Sequence, residues 1–507
     1  MLYGARTMNW IRFLIAGLLT LVVVDIASAQ GTLRIGLNDD PDALDPTISR
    51  AYVGRLVFAA LCDKLFDVTP DLKIVPQLAT GYDWAPDHKS VVIKLRPGVR
   101  FHDGEPFNAE AVRFNIERHI NTPGSFRKSE IGEIAKVDVV NDLTVKFSLS
   151  EPLTPLVAAL TDRAGMMVSP KAAKELGDKF GTKPVCAGPY RFVERVAQGK
   201  IVLERFASYW DKANVHMDRV EFVPITDSTA RLASLRSGDL TMIERVSPTD
   251  LAQLHGDPRL KVAGVAELGF QVIRLNVANG PKSKAFADAR VRQAVDVAID
   301  RETLVKTVFN NEYIPGNQWV SPVSPYYNAK LPVRKRDVAR AKQLLRDAGQ
   351  PNFAFTLIVP PERDRQEAAL IIQAMLAEAG MTMTIQTQEN VTMLQAGRRG
   401  DFEAYFTFWS GRPDPDGNIY THYTCRGAQN DPRFCNEQFD TLVTKARHVA
   451  DQAERKKLYD QATEILVREV PSIHLWHRRV FTGYSGKVQG FTPHPDGIIR
   501  VKGLRLS

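Results

Sequence analysis

Apolar residues recur along the chain at two periods, and the switch between them outlines the expected architecture. The run "TLRIGL" (32–37) reads as a short strand, ends in the polar loop "NDDPDALDP", and feeds the helical stretch "RAYVGRLVFAALCDKLF", which opens an α/β unit. "SVVIKLRPGVRFHDGEPFNAEAVRFNIERHI" predicts strand, turn and helix: Asp103-Gly104 supplies the turn, Asn108 is a good N-cap, and Glu110 suits the positive end of the helix dipole. "VDVVNDLTVKFSLS" predicts a hairpin turning at Asn141-Asp142, and "DSTARLASLRSGDLTMI" a helix that stops at Gly238 before another strand. From Asp288 the pattern is helical again, with Val291, Ala294, Val295, Ala298 and Ile299 on one face. The helix "DVARAKQLLRDAG" then leads into "FTLIVP", and "EAALIIQAMLAEAG" into "MTIQTQ".

Helices and strands alternate on both sides of about residue 276, so the expected fold class is α/β in two lobes rather than one sheet. At 507 residues and 44% hydrophobic content the chain exceeds what one core comfortably serves. Its first 29 residues order themselves as a secretory leader: Arg6 and Arg12, the apolar run "FLIAGLLTLVVV", then Ala27-Ser28-Ala29 before Gln30. That run is shorter than the roughly 20 residues of a membrane span, and the expectation is a cleaved leader and a periplasmic chain without stable membrane insertion. Export makes the cysteines readable. Cys425 and Cys435 flank a short polar loop and are expected to form a disulfide, whereas Cys62 and Cys186 are open between a second bond and two buried thiols. The net charge of +8 is spread among acidic residues, with only small clusters such as "RKR" at 334, so no nucleic-acid partner is expected.

The stretch "WSGRPDPDGN" (409–418) concentrates candidate chemistry, and three readings open on it: a metal site, a catalytic carboxylate pair, or a ligand-pocket wall. Asp414 and Asp416 lie two residues apart on a turn, the usual place for a helix cap or a solvated turn, and Ser485-Gly486 lacks the first half of a nucleophile elbow. His474 and His477 would point to opposite faces of a strand, so no metal site and no cofactor is expected. Trp409, at the end of the strand containing Phe406 and Phe408, offers a flat apolar wall beside polar turn groups.

Several blocks resemble one family, the extracellular solute-binding proteins of family 5, the periplasmic receptors of peptide and nickel ABC importers. They are "VRFHDGEPFNAEAVRFNIER", "GPYRFVE", "LRSGDLTMI", "ARVRQAVDVAIDRETLV", "LLRDAG" and "WSGRPDPDGN", in family order over nearly the whole mature chain. The resemblance implies a two-lobed periplasmic-binding fold with an extra subdomain inserted in the first lobe. Residues 30–275 would form the first lobe, 276–479 the second, and 480–507 a return to the first. It implies a non-catalytic, monomeric receptor that captures a small polar solute, such as a peptide, an opine-like conjugate or a sugar-like compound, and passes it to ABC importer membrane subunits. An exported hydrolase and a metal-chelate receptor of the nickel type are the alternatives.

Carried onto this sequence, the resemblance makes Trp409 a pocket wall, faced from the first lobe by Asn38, Asp39 and Asp40. Peptide receptors of the family commonly carry an Asp three residues after that Trp, where it meets the ligand's ammonium; this chain has Arg412 there, and a one-residue shift would bring Asp414 near the role. Arg412 is therefore expected either to meet an acidic or hydroxyl-rich ligand group or to pair internally with Asp414 or Asp416.

Overall fold

The computed structural model describes residues 31–507, and the expected leader lies outside them. A seven-stranded sheet forms the first lobe, in the order Leu260–Ala266, Arg479–Ser485, Met242–Ile243, Thr32–Leu37, Arg219–Pro224, Lys200–Arg205 and Tyr190–Val196. Its central strand, Thr32–Leu37, runs parallel to both neighbours. A six-stranded sheet forms the second lobe: Ile314–Pro315, Ser472–His477, Phe270–Leu275, Ala404–Trp409, Ala354–Val359 and Thr382–Thr387.

The burial patterns follow from where each strand sits. Phe270–Leu275 and Ser472–His477 are buried at every position, because both faces of this sheet are covered. Thr144–Leu149 alternates instead, because its four-stranded antiparallel sheet has one covered face. That smaller sheet is the inserted subdomain, with the helix Ala109–Asn121 across it and its own core around Val91, Ile93, Val112, Ile116 and Phe147. The helix starts as predicted: Asn108 Oδ1 accepts from the backbone N–H of Ala111 at 3.0 Å. Val291, Ala294, Val295, Ala298 and Ile299 all enter the second-lobe core, as their spacing predicts.

Two segments cross between the lobes, and they correct the expected boundaries. Phe270–Leu275 pairs along its length with Ala404–Trp409, so it belongs to the second lobe and the first crossing lies at residues 267–269, before the expected 275. The second crossing is at Arg478, between Ser472–His477 in one sheet and Arg479–Ser485 in the other. Both crossings run strand into strand, with at most three residues between, so no turn or helix in the sequence marks the change of sheet. Arg478 donates to Glu267 with both Nε and Nη2, at 2.8 and 2.7 Å, and the Glu267 N–H donates to the Arg478 carbonyl, tying the crossings together. Cys62 is bonded to Cys186, closing the end of the helix Tyr52–Leu61 onto the loop before Tyr190–Val196. Among the described residues no helix is long and apolar enough to cross a membrane.

Candidate ligand cleft

The turn after Trp409 is built against the first crossing. Gly411 has φ +80°, and a side chain there would collide with Leu268; one at Gly269 would collide with the Trp409 carbonyl. Asn418 closes the turn by accepting from the Trp409 indole at 2.8 Å and the Arg412 N–H at 2.7 Å, while its amide donates to the Arg412 carbonyl. The indole is thereby held in one orientation. The His422 ring meets it edge-on at 4.3 Å, and the Arg412 guanidinium stacks over it at 4.2 Å.

The charged residues of the turn are already engaged. Arg412 pairs with Asp162 of the first lobe at 2.8 Å, with neither Asp414 nor Asp416, and burial lowers its pKa to about 10. Asp414 takes two hydrogen bonds from Arg455, at 3.0 and 2.8 Å, and accepts from the N–H of Asp416 at the start of the helix Asp416–Tyr423. Asp416 faces Arg447 at 3.1 Å, and burial raises its pKa to about 6 against that charge. Both carboxylates thus shape the turn and anchor it to the helices behind it. Cys425 and Cys435 are bonded just beyond that helix.

Two chambers lie in the cleft between the lobes. The inner chamber is lined by Trp409, Phe408, Tyr52, Ser410, His422 and four arginines, Arg50, Arg55, Arg163 and Arg274, among others. Asn38 lines the outer chamber together with Arg245, Gln271, Glu362, Arg365 and Trp476. Phe408 stands between them. Tyr52 meets it edge-on at 5.8 Å, and the guanidiniums of Arg245, Arg365 and Arg478 lie 4.0, 4.9 and 4.9 Å from its ring centre. Phe406 shares the face of Phe408 but sits one pleat deeper, in the second-lobe core against Trp476.

The loop from the first lobe divides its roles. Asn38 reaches across to Glu362 at 3.4 Å, and its N–H donates to Glu244. Asp39 is held up to about pKa 7 by burial and by the charge of Glu362 on the other lobe. Asp40 turns away and secures Arg195 and the Gln198 N–H, at 3.0 and 3.1 Å. Arg55 donates to Ser410 at 2.9 Å and Arg50 pairs with Asp431 at 2.6 Å, so the lobes meet through hydrogen bonds and ion pairs on several sides of the chambers.

The strand predicts opposite faces for His474 and His477, but the pairing shifts register opposite Gln271 and Val272, and this bulge breaks the alternation between the two histidines. His474 meets the Tyr423 hydroxyl at 3.0 Å and His477 the Gly269 carbonyl at 2.9 Å. Among the described residues no group of three or more His, Cys, Asp or Glu side chains is placed to hold a metal ion. Tyr52, Arg55, Arg163, Arg245 and Arg274 escaped the sequence reading. For Arg274 a signal existed: a lone charge inside the apolar strand "FQVIRL", whose burial demands a partner.

Comparison with known proteins agrees with this architecture. The chain is 29% identical over 512 residues to the glutathione-binding protein GsiB of Pectobacterium atrosepticum, with 97% of each chain covered. It superposes on DppA from Helicobacter pylori in complex with the peptide STSA with a TM-score of 0.87 at 27% identity, covering 94% of this chain and 98% of that one. On AgaA from A. tumefaciens R10, in complex with agropinic acid, the TM-score is 0.86 at 26% identity, with 94% and 99% covered. Residues 73–430 match the family described as bacterial extracellular solute-binding proteins, family 5, middle region. A two-lobed α/β fold joined by two crossings, with this match over most of its length, makes the chain a member of the family 5 bacterial extracellular solute-binding proteins.

Proposed function

We propose that the chain is a periplasmic receptor that captures a small peptide-like solute between its lobes and delivers it to the membrane subunits of an ABC importer. The observation that carries the reading is the pair of chambers enclosed between two lobes, walled by Trp409, Phe408 and Tyr52 and ringed by polar groups without hydrogen-bond partners. Unpartnered buried donors of this kind at Arg274, Gln271 and Gln429 suit a ligand that completes their bonding. The crossings at residues 267–269 and Arg478 supply a narrow hinge for closure. GsiB, DppA and AgaA resemble this chain over nearly its full length; the first is named for glutathione, and the other two are seen in complex with the peptide STSA and with agropinic acid.

The test is to purify the protein from the periplasm, unfold it, and identify the released solute by mass spectrometry. Refolded protein should bind that solute one to one, return it unchanged, and contract in solution scattering as the lobes close. Chemical turnover of the solute by pure protein would favour the hydrolase instead.

A further inference from the structure

The inner chamber carries a charge imbalance that the protein itself does not correct. Its lining includes four arginines and no carboxylate. Arg50 is matched by Asp431. Arg55 and Arg163 share Asp162 with Arg412: Asp162 lies 2.8 Å from Arg55, 2.8 Å from Arg412 and 3.8 Å from Arg163. Arg274 is 3% exposed, pairs with no carboxylate among the described residues, and its Nη1 has no hydrogen-bond partner. Three guanidiniums, those of Arg55, Arg163 and Arg412, therefore share the single carboxylate of Asp162, and Arg274 has none.

The surrounding groups do not relieve the excess. Glu130 is taken by Arg127 at 2.6 Å, and Asp496, beyond Arg55, is taken by Arg500 at 2.9 Å. His422 and His474 are held neutral, their pKa values driven well down by burial and by the charge of Arg274. Burial and the neighbouring Arg127 push the Arg163 guanidinium well below its ordinary range, which marks the same crowding of positive charge. A buried charge without a partner is strongly unfavourable, and an arrangement of this kind is natural where a ligand brings the counter-charge.

We propose that the inner chamber is an anion subsite that takes a solute bearing at least two carboxylates, received by Arg274 and Arg163, with its organic body against Tyr52, Phe408 and Trp409. A guanidinium holds a carboxylate through two parallel hydrogen bonds, and the aromatic walls select an organic acid over a bare inorganic ion. An ammonium group finds no carboxylate on this lining. The inference rests on the receptor reading and narrows its solute class.

The experiment uses the full mature protein and the solute released from it. The released solute should carry two or more acidic groups. Esterifying its carboxylates should abolish binding by calorimetry, and Arg274→Gln should weaken binding roughly 30-fold or more. Arg163→Gln should act in the same direction, and where it fails to fold, the esterified solute still decides. A released solute with fewer than two acidic groups overturns the subsite while leaving the receptor reading intact. So does Arg274→Gln binding as tightly as wild type, or a neutral dipeptide such as Ala-Ala raising the melting temperature where glutathione does not. If no solute is released and neither glutathione nor Ala-Ala shifts the melting temperature, the receptor reading falls and the subsite with it.

Discussion

Arg478 and Arg274 are both buried arginines at the cleft, but their surroundings differ. Arg478, at the second crossing, gives two hydrogen bonds to Glu267, itself 1% exposed. Arg274, on the adjoining strand Phe270–Leu275, has no carboxylate among the described residues. The same division separates the turn from the chamber. Asp414 with Arg455 and Asp416 with Arg447 are matched pairs, whereas the chamber's Arg55 and Arg163 must share Asp162 with Arg412 of the turn. Matched pairs join elements of the frame, where a lost partner strands a buried charge. Unmatched guanidiniums collect where a cavity leaves room for a ligand to match them. Charge balance, more than polarity or burial alone, thus distinguishes scaffold from site.

The sharpest break of this comparison is Glu267→Gln. It should strand Arg478 at the hinge and lower stability by about 3–5 kcal/mol in urea denaturation, with the folded protein losing its closure on ligand. A loss below about 1 kcal/mol would show that the hinge pair is not the frame element described here.

Removing the bond between Cys425 and Cys435 by paired Ala substitution should cost about 2–3 kcal/mol, because the closed loop is short. Mass mapping of unreduced protein should find their peptides linked, and free thiols at both positions would contradict it.

Asp39 tests an imbalance of the opposite sign, a carboxylate held at the lobe contact beside Glu362. Its pKa is raised from 3.8 to about 7, so the folded protein keeps the proton that the unfolded chain releases. The contribution of Asp39 is fully present below about pH 4 and is lost as the pH rises to about 7. Asp39→Asn should therefore stabilise the protein by about 2 kcal/mol at pH 8, allowing for solvent at the rim, and leave it unchanged at pH 4. An equal effect at both pH values would assign the gain to something other than the proton.

The smallest effect is expected from Arg274→Gln in ligand-free protein. If its charge is uncompensated, removal should raise stability by about 1 kcal/mol or leave it level, although the side chain is almost wholly buried. A loss of several kcal/mol would make Arg274 a member of the frame.

Much of the cleft's frame was legible in the chain, and the reasons are local. Asn108 caps its helix and the face from Val291 to Ile299 enters the core, since both depend only on residues within a few turns. Trp409 stood out because an aromatic residue at a strand end before a Gly- and Pro-containing turn has few ways to pack, and it does line the inner chamber. Arg412 was visible as an unusual charge, but its partner was not: Asp162 is remote in sequence and lies on the other lobe. Phe406 and Phe408 alternate identically in the strand, yet one is core and one is a chamber partition, because the second lobe's core ends between them.

By itself the sequence determined the alternation of helices and strands, the two-lobed plan and the paired cysteines near residue 430. Each is set by periodicity, turn chemistry or short-range spacing. Only the tertiary structure decided where the strands cross between sheets, which carboxylate answers which guanidinium, and that the inner chamber is left with more of one than the other. Those outcomes depend on distances between side chains far apart in the chain, and Coulombic balance in a buried cleft is a sum over neighbours that no local pattern records.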